Sequence, residues 1–199
     1  MIVKSELRGV GALAAAVLSV IAVSACSPTA PGTPGPVSSA SSTTTSSGNT
    51  VPKVGNPKTL NGIAPCQLLT TQQLADLGAT PRSQPKPDTT ATGDPSCMWE
   101  NDNVTVILAP LTKTGKGIEQ TYLSKDNYSF FQPTTVDSYP AVLVDKQKLS
   151  CGMFLGVSDT QELSLTVVVT GKNNPDSGNP CAFPPKVASA ALKNIPAGQ

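Results

Sequence analysis

Between residues 60 and 199 the apolar positions fall into short groups separated by turn-forming residues. Leu68, Leu69, Leu74 and Leu77 lie at helical spacing. Thr70 with Gln73 three residues on has the pattern of a capping box, and Gly78 supplies a stop, so a short helix is predicted over about 70–77. Residues 79–95 are rich in Pro and Thr and read as a long loop. Apolar groups at 97–100 and 104–109 flank Asn101-Asp102-Asn103, and the span 96–109 reads as a β-hairpin. Residues 117–125 predict a second helix with Ile118, Tyr122 and Leu123 inward. Val136 precedes a turn at Asp137-Ser138. Strands are then predicted over 141–145, 150–157 and 163–170, the last carrying Val167, Val168 and Val169 in a row. A polar loop over 171–179 leads to a final helix at about 184–195. Pro184 or Pro185 fits its first turn, Val187, Ala188, Ala191, Leu192 and Ile195 form its apolar face, and Pro196 ends it. The order of elements predicts an α+β fold: an antiparallel sheet of about five strands with helices packed on one face.

The chain ahead of residue 60 has a different character. Lys4 and Arg8 precede residues 9–23, which carry no charge. That run falls short of the roughly 20 residues a spanning helix needs and fits the apolar core of a secretory signal peptide. Val23-Ser24-Ala25-Cys26 resembles a bacterial lipobox, an aliphatic residue and two small ones ahead of a cysteine. The small residues let a peptidase take the backbone in extended form, and the thiol is the atom that receives diacylglycerol. The resemblance implies that residues 1–25 are a lipoprotein signal peptide and Cys26 is the lipidated mature N-terminus. Two or three acyl chains on one residue give stable anchoring.

Of the 33 residues from 27 to 59, 24 are Ser, Thr, Pro or Gly, and Leu, Ile and aromatics are absent. Such a stretch buries too little apolar surface to offset its ordering entropy. Residues 26–59 are therefore expected to be the lipidated N-terminus and a disordered spacer. O-glycosylation of its Ser and Thr residues is a further option. Residues 60–199 are expected to form a single α+β domain.

Charge and composition narrow the function classes. The 199 residues carry 14 Lys+Arg against 13 Asp+Glu. Nucleic acid and anionic membrane surfaces, which need a basic excess, are thereby argued against as partners. There is no histidine. Ser-His-Asp and Cys-His machinery is excluded, and so is the commonest zinc ligand. Removal of residues 1–25 takes away Lys4, Arg8 and Glu6 and leaves 12 charges of each sign. The expected anchor is lipid, not electrostatic adhesion.

Five cysteines less Cys26 leave Cys66, Cys97, Cys151 and Cys181, an even set that reads as a disulfide framework in an exported chain. The pairing favoured is Cys66–Cys97 with Cys151–Cys181, since each closes a local loop. The nested alternative, Cys66–Cys181 with Cys97–Cys151, would tie the two ends of the domain together. No C-x-x-C spacing and no histidine support metal or redox work by these thiols.

The ordered set of motifs resembles a family of actinobacterial cell-envelope lipoproteins of unknown function. Its marks stand here as Cys26, the Ser/Thr/Pro linker, Pro65-Cys66-Gln67-Leu68-Leu69, Cys97-Met98-Trp99, Tyr139-Pro140-Ala141-Val142, Cys151 and Pro180-Cys181-Ala182. Pro184-Pro185 departs from that pattern, where the last helix runs straight on from the cysteine. The resemblance implies a secreted, membrane-anchored lipoprotein and supplies no activity, so no catalytic residue is carried over.

Signals of chemistry in the chain are weak. Asp94, Glu100, Asp102, Asp137, Asp145, Asp159 and Glu162 are available carboxylates, and most sit in predicted turns, where local hydrogen bonding explains them. Asn101-Asp102-Asn103 and the loop 173–179 do not have EF-hand spacing. Gly115-Lys116-Gly117 lacks the rest of a phosphate loop and reads as a turn at a helix start. Trp99 is expected in the core beside a disulfide. Tyr128, Phe130 and Phe131 form the one aromatic cluster outside a clear strand: a candidate contact patch if exposed, a core plug if buried. No catalytic residue, metal or cofactor is expected. The reading is a non-enzymatic binding or accessory module on the outer face of the cell membrane. Its partner would be an envelope protein, lipid or glycan. The alternative is an envelope hydrolase working through carboxylates alone, which needs two of them facing across a cleft. A purely structural spacer would show neither pocket nor patch.

Overall fold

A computed structural model of the chain describes residues 50–171 and 174–198. Residues 1–49, on which the expected signal peptide, the expected lipidation site Cys26 and most of the expected spacer fall, lie outside the described residues. Within the described part, the helices are α1 (Thr71–Asp76), α2 (Ile118–Leu123) and α3 (Phe183–Leu192). Single 3₁₀ turns lie at Pro65–Gln67, Lys125–Asn127 and Pro180–Ala182. The strands are β1 (Lys86–Thr89), β2 (Pro95–Glu100), β3 (Val104–Leu111), β4 (Phe131–Val136), β5 (Tyr139–Val144), β6 (Ser150–Gly156) and β7 (Glu162–Val169).

The seven strands form one antiparallel sheet in the order β1-β2-β3-β7-β6-β5-β4. Two meanders, β1 to β3 and β4 to β7, join where β3 pairs with β7. The expectation of about five strands was short by two, β1 and β4, and both are edge strands. Each contains a proline, Pro87 and Pro133, and little of either is buried. Proline removes a ladder donor and weakens a strand's own pattern, and neither segment has the buried–exposed alternation that marks a strand. The loop expected over 79–95 thus contains β1.

The pleat gives the sheet two different faces. On the first, cross-strand rows such as Cys97–Leu108–Leu165–Met153–Leu143 and Trp99–Val106–Val167–Cys151 run through the main core. Alpha-helical cover comes from α1 through Leu74 and from α3 through Val187, Ala188, Ala191 and Leu192. Trp99 is buried in this core with Cys97, as expected. On the second face Val142 and Val144 of β5 pack with Ile118 of α2, together with half-buried Tyr122, Tyr128, Phe131 and Phe154.

Helices therefore lie on both faces, not one. The cause is topological. The chain leaves β3 near the middle of the sheet and must reach β4 at the far edge, and it crosses on the face that α1 and α3 leave open. Two glycines let α2 come close. Gly117, at φ +52, caps its start where an added Cβ would stand 2.7 Å from the Ser158 carbonyl oxygen. Gly156 of β6 lies under Ile118, where an added Cβ would meet that side chain at 3.0 Å. Leu123, expected inward, is 63% exposed, whereas Ile118 and Tyr122 do face the sheet.

Several local expectations hold at the residue level. Thr70 Oγ1 accepts from the Gln73 N–H at 3.2 Å, and Gln73 Oε1 accepts from the Thr70 N–H at 2.8 Å, completing the capping box. The same Gln73 donates from Nε2 to the Ala190 carbonyl at 2.8 Å and accepts from Asn194 at 2.7 Å, so the cap also ties α1 to α3. Thr70→Ala is expected to cost about 1 kcal/mol in urea denaturation. An unchanged midpoint would show that the tie to α3 holds Gln73 without the cap. The Pro184-Pro185 pair sits inside the first turn of α3, which starts at Phe183 directly after the Cys181 turn. Both disulfides take the local pairing, Cys66–Cys97 and Cys151–Cys181.

Residues 51–59, assigned by composition to the spacer, lie against the folded body. Val51 and Val54 pack on the two hydrophobic clusters. The Lys58 N–H donates to the Val157 carbonyl at 2.7 Å, and Tyr139 Oη donates to the Asn56 carbonyl at 2.7 Å.

Candidate functional site

The second face of the sheet is only partly covered, because α2 spans β5 and β6 and leaves β7 and β3 open. In the gap lies a cleft of about 320 Å³. Its floor is Leu111 of β3, Glu162 and Ser164 of β7 and Phe154 of β6; its walls are Thr121 of α2, Ser124 at the end of that helix, Tyr128, and the Thr90–Thr92 turn. Register puts these floor residues together, since Leu111 pairs with Glu162 and Ser164 pairs with Phe154. Tyr128, Phe154 and Ser164 also line a second hollow of about 220 Å³ that runs over Gly152 and Thr166 to Asp145. The two hollows adjoin at these three residues and together mark a trough along the sheet divided at Tyr128 and Phe154.

Glu162 is the unusual residue. Its side chain belongs to a strand position 2% exposed. Thr121 donates from Oγ1 to Glu162 Oε2 at 2.7 Å. Oε1 has no partner among the described residues and is not sealed off, so it opens on the cleft. Burial penalises the charged form and pushes the carboxyl up to about 7, against the opposing pull of the Thr121 hydrogen bond. Burial likewise raises the Tyr128 phenol, with the charges of Glu162 and Asp145 adding to it.

The rim is fixed by another buried carboxylate. Asp94 accepts from Thr92 Oγ1 at 2.6 Å and from the N–H groups of Thr112 and Lys113 at 3.1 and 3.3 Å. Thr90 Oγ1 accepts from the Asp94 N–H at 3.0 Å. Burial works to raise the Asp94 carboxyl, but this set of hydrogen bonds and the Lys113 charge outweigh it and hold the group low. Asp94 thus pins the Thr90–Thr92 turn to the end of β3, an architectural task.

Other hollows are committed to internal contacts. One of about 230 Å³ beside α1 and α3 has Lys186 paired with Asp176 at 2.7 Å and Asp76 accepting from the Gln72 amide at 2.8 Å. A polar one of about 460 Å³ is the seam where Gln161 donates to Asn61 at 2.9 Å and accepts from the Leu60 N–H at 2.6 Å, and Lys58 donates to the Ile195 carbonyl at 2.6 Å.

Tyr128, Phe130 and Phe131, the aromatic cluster of the sequence, do not form one patch: Phe130 packs on the main core, whereas Tyr128 and Phe131 join the second cluster. Phe130 and Phe131, adjacent where β4 begins, turn to opposite faces. Tyr128 alone of the three lines the cleft. The turn expected at 101–103 is present and is an Asx turn, Asn101 Oδ1 accepting from the N–H groups of Asn103 and Val104 at 2.9 Å each. Among the described residues no group of three His, Cys, Asp or Glu side chains is placed to hold a metal. Glu162 stood in the sequence only as one acid among seven. Its one signal was a charged residue directly ahead of the most apolar strand.

A seven-stranded antiparallel α+β domain, with a two-faced sheet and two local disulfides, is the class this geometry defines. A family model described as a protein of unknown function, DUF3558, matches residues 21–194, and the chain belongs to that family. No curated protein and no solved structure matches it. Among the described residues no helix is long and apolar enough to cross a membrane.

Proposed function

We propose that this chain is an extracytoplasmic lipoprotein of the actinobacterial envelope. In this reading it is anchored to the cell membrane through Cys26 and acts as a non-enzymatic binding module whose ligand site is the cleft over Glu162. One observation carries the binding role: a largely apolar cleft of ligand size with a single buried carboxyl at its floor. The anchor rests on the lipobox pattern at 23–26 and on the Ser/Thr/Pro-rich stretch that follows. The hydrolase alternative asks for two carboxyls across one cleft. Glu162 is the only carboxylate among the residues lining this one, and Asp145 of the adjoining hollow already accepts from the Ser129 N–H and Oγ at 3.1 Å each, which favours binding over acid–base chemistry.

Intact mass of the chain isolated from its native membrane tests the anchor. The expected result is a mature N-terminus at Cys26 with a di- or triacyl adduct, and a Cys26→Ala chain recovered unacylated. An unmodified N-terminus in the wild-type chain would remove the membrane from this reading.

A further inference from the structure

We infer that the cleft over Glu162 is a site for an organic ammonium ion with an apolar body, the cation meeting Oε1 of Glu162 and the body lying along the trough past Phe154. This rests on the binding-module reading above and names its ligand class.

Charge complementarity carries the choice of cation. Neither hollow of the trough is lined by a Lys or Arg, while Glu162 stands at one end and Asp145 at the other. An anionic ligand would find hydroxyl and amide donors there but no cation to pair with, and would face the charge of Glu162. A cation would find a desolvated carboxylate, where an ion pair is screened far less than on the surface. The walls suit an ammonium head. Thr121, Ser124, Gln120 and Tyr128 bring oxygen acceptors to the same space. The Tyr128 and Phe154 rings, with centroids 5.8 Å apart, offer π faces that attract cations. The body has an apolar path, since Tyr128, Phe154 and Ser164 are shared by both hollows.

The charges around Glu162 do not compete for it. Lys113, past the end of β3, donates to the Gly93 carbonyl. Lys125 lies 5.7 Å over the Phe131 ring. Glu119 of α2 and Asp126 of the following turn are exposed. Tyr128 is the titratable neighbour that senses Glu162 directly.

Binding of a fixed cation requires the ionised carboxylate, so a proton leaves Glu162 as the ammonium enters. With that group near 7, the apparent affinity is expected to rise roughly 30-fold between pH 5.5 and pH 8. Alkylamines stay protonated throughout that range.

The test uses equilibrium dialysis of labelled octylamine, octanoate and 1-octanol. Each is dialysed against the full-length chain in phosphatidylcholine nanodiscs, with empty nanodiscs as blank. The expected result is saturable octylammonium binding, roughly 30-fold tighter at pH 8 than at pH 5.5, exceeding octanoate and octanol at least tenfold. Glu162→Gln should lose both the binding and its pH dependence. Ser164→Phe, which fills the trough and leaves the carboxyl in place, should also lose binding and carries the test if Glu162→Gln fails to fold. Octanoate or octanol bound in preference would overturn the cation and leave the binding module standing. None of the three bound would overturn both. Octylammonium binding unchanged in either variant would place the amine elsewhere and overturn the site.

Discussion

The folded domain is expected to lose about 2–3 kcal/mol of stability between pH 5 and pH 8, and Glu162→Gln is expected to flatten that slope. Glu162 goes from an ordinary value of 4.5 to about 7 on folding, with burial as the cause. The folded state therefore holds the proton more tightly than the unfolded chain. That contribution is fully present below about 4.5 and is lost as pH rises through about 7. A tenfold difference in proton affinity between the two states is worth about 1.4 kcal/mol, so most of the effect falls inside the pH 5–8 window. Asp94 does not blur the reading, because its carboxyl is held low. Its stabilisation is present above its ordinary value of 3.8 and is lost only as pH falls below that. Urea denaturation at a series of pH values checks this. Glu162→Gln should match wild type near pH 5 and exceed it at pH 8. A flat wild-type profile would mean that water reaches Glu162 freely and keeps it ionised.

Removal of the Cys151–Cys181 bridge is the second large effect, expected at about 3–4 kcal/mol from loop entropy alone. The bridge closes a separation of 30 residues. It fastens the turn ahead of α3 to β6, an interior strand beside the central β7, and Cys151 is fully buried. The paired variant Cys151→Ala/Cys181→Ala keeps the site apolar, so the change reads the cross-link and a small loss of packing. The apolar face of α3 still holds the helix through Val187, Ala188 and Ala191, and the variant should fold with a lower denaturation midpoint. The Cys66–Cys97 bridge, with a separation of 31, should contribute on the same scale. Loss of both would remove about 7 kcal/mol, comparable with the whole stability of many domains. A loss below about 1 kcal/mol for one bridge would show that residual structure already restricts its loop in the unfolded ensemble.

What a short window of residues can dictate was legible. The capping box at Thr70 and Gln73, the Asx turn at Asn101, the prolines in the first turn of α3 and the apolar runs of β3 and β7 each act within a few residues. The disulfide pairing followed from the same locality, since each bridge closes the shorter loop available. The edge strands were hidden for the opposite reason. A strand paired on one side, with Pro87 or Pro133 in it, is made by its neighbour and not by its own pattern.

The cleft belongs wholly to the tertiary structure. Its residues come from β3, β6, β7, α2 and two turns far apart in sequence, and the strand order brings them together. Glu162 illustrates the division. The sequence set its charge and its place at the head of an apolar strand. Only the crossing of α2 over the second face, permitted by Gly117 and Gly156, took water from it and set Thr121 against it. Desolvation is a property of what surrounds a group in space, and no stretch of neighbouring residues can state it.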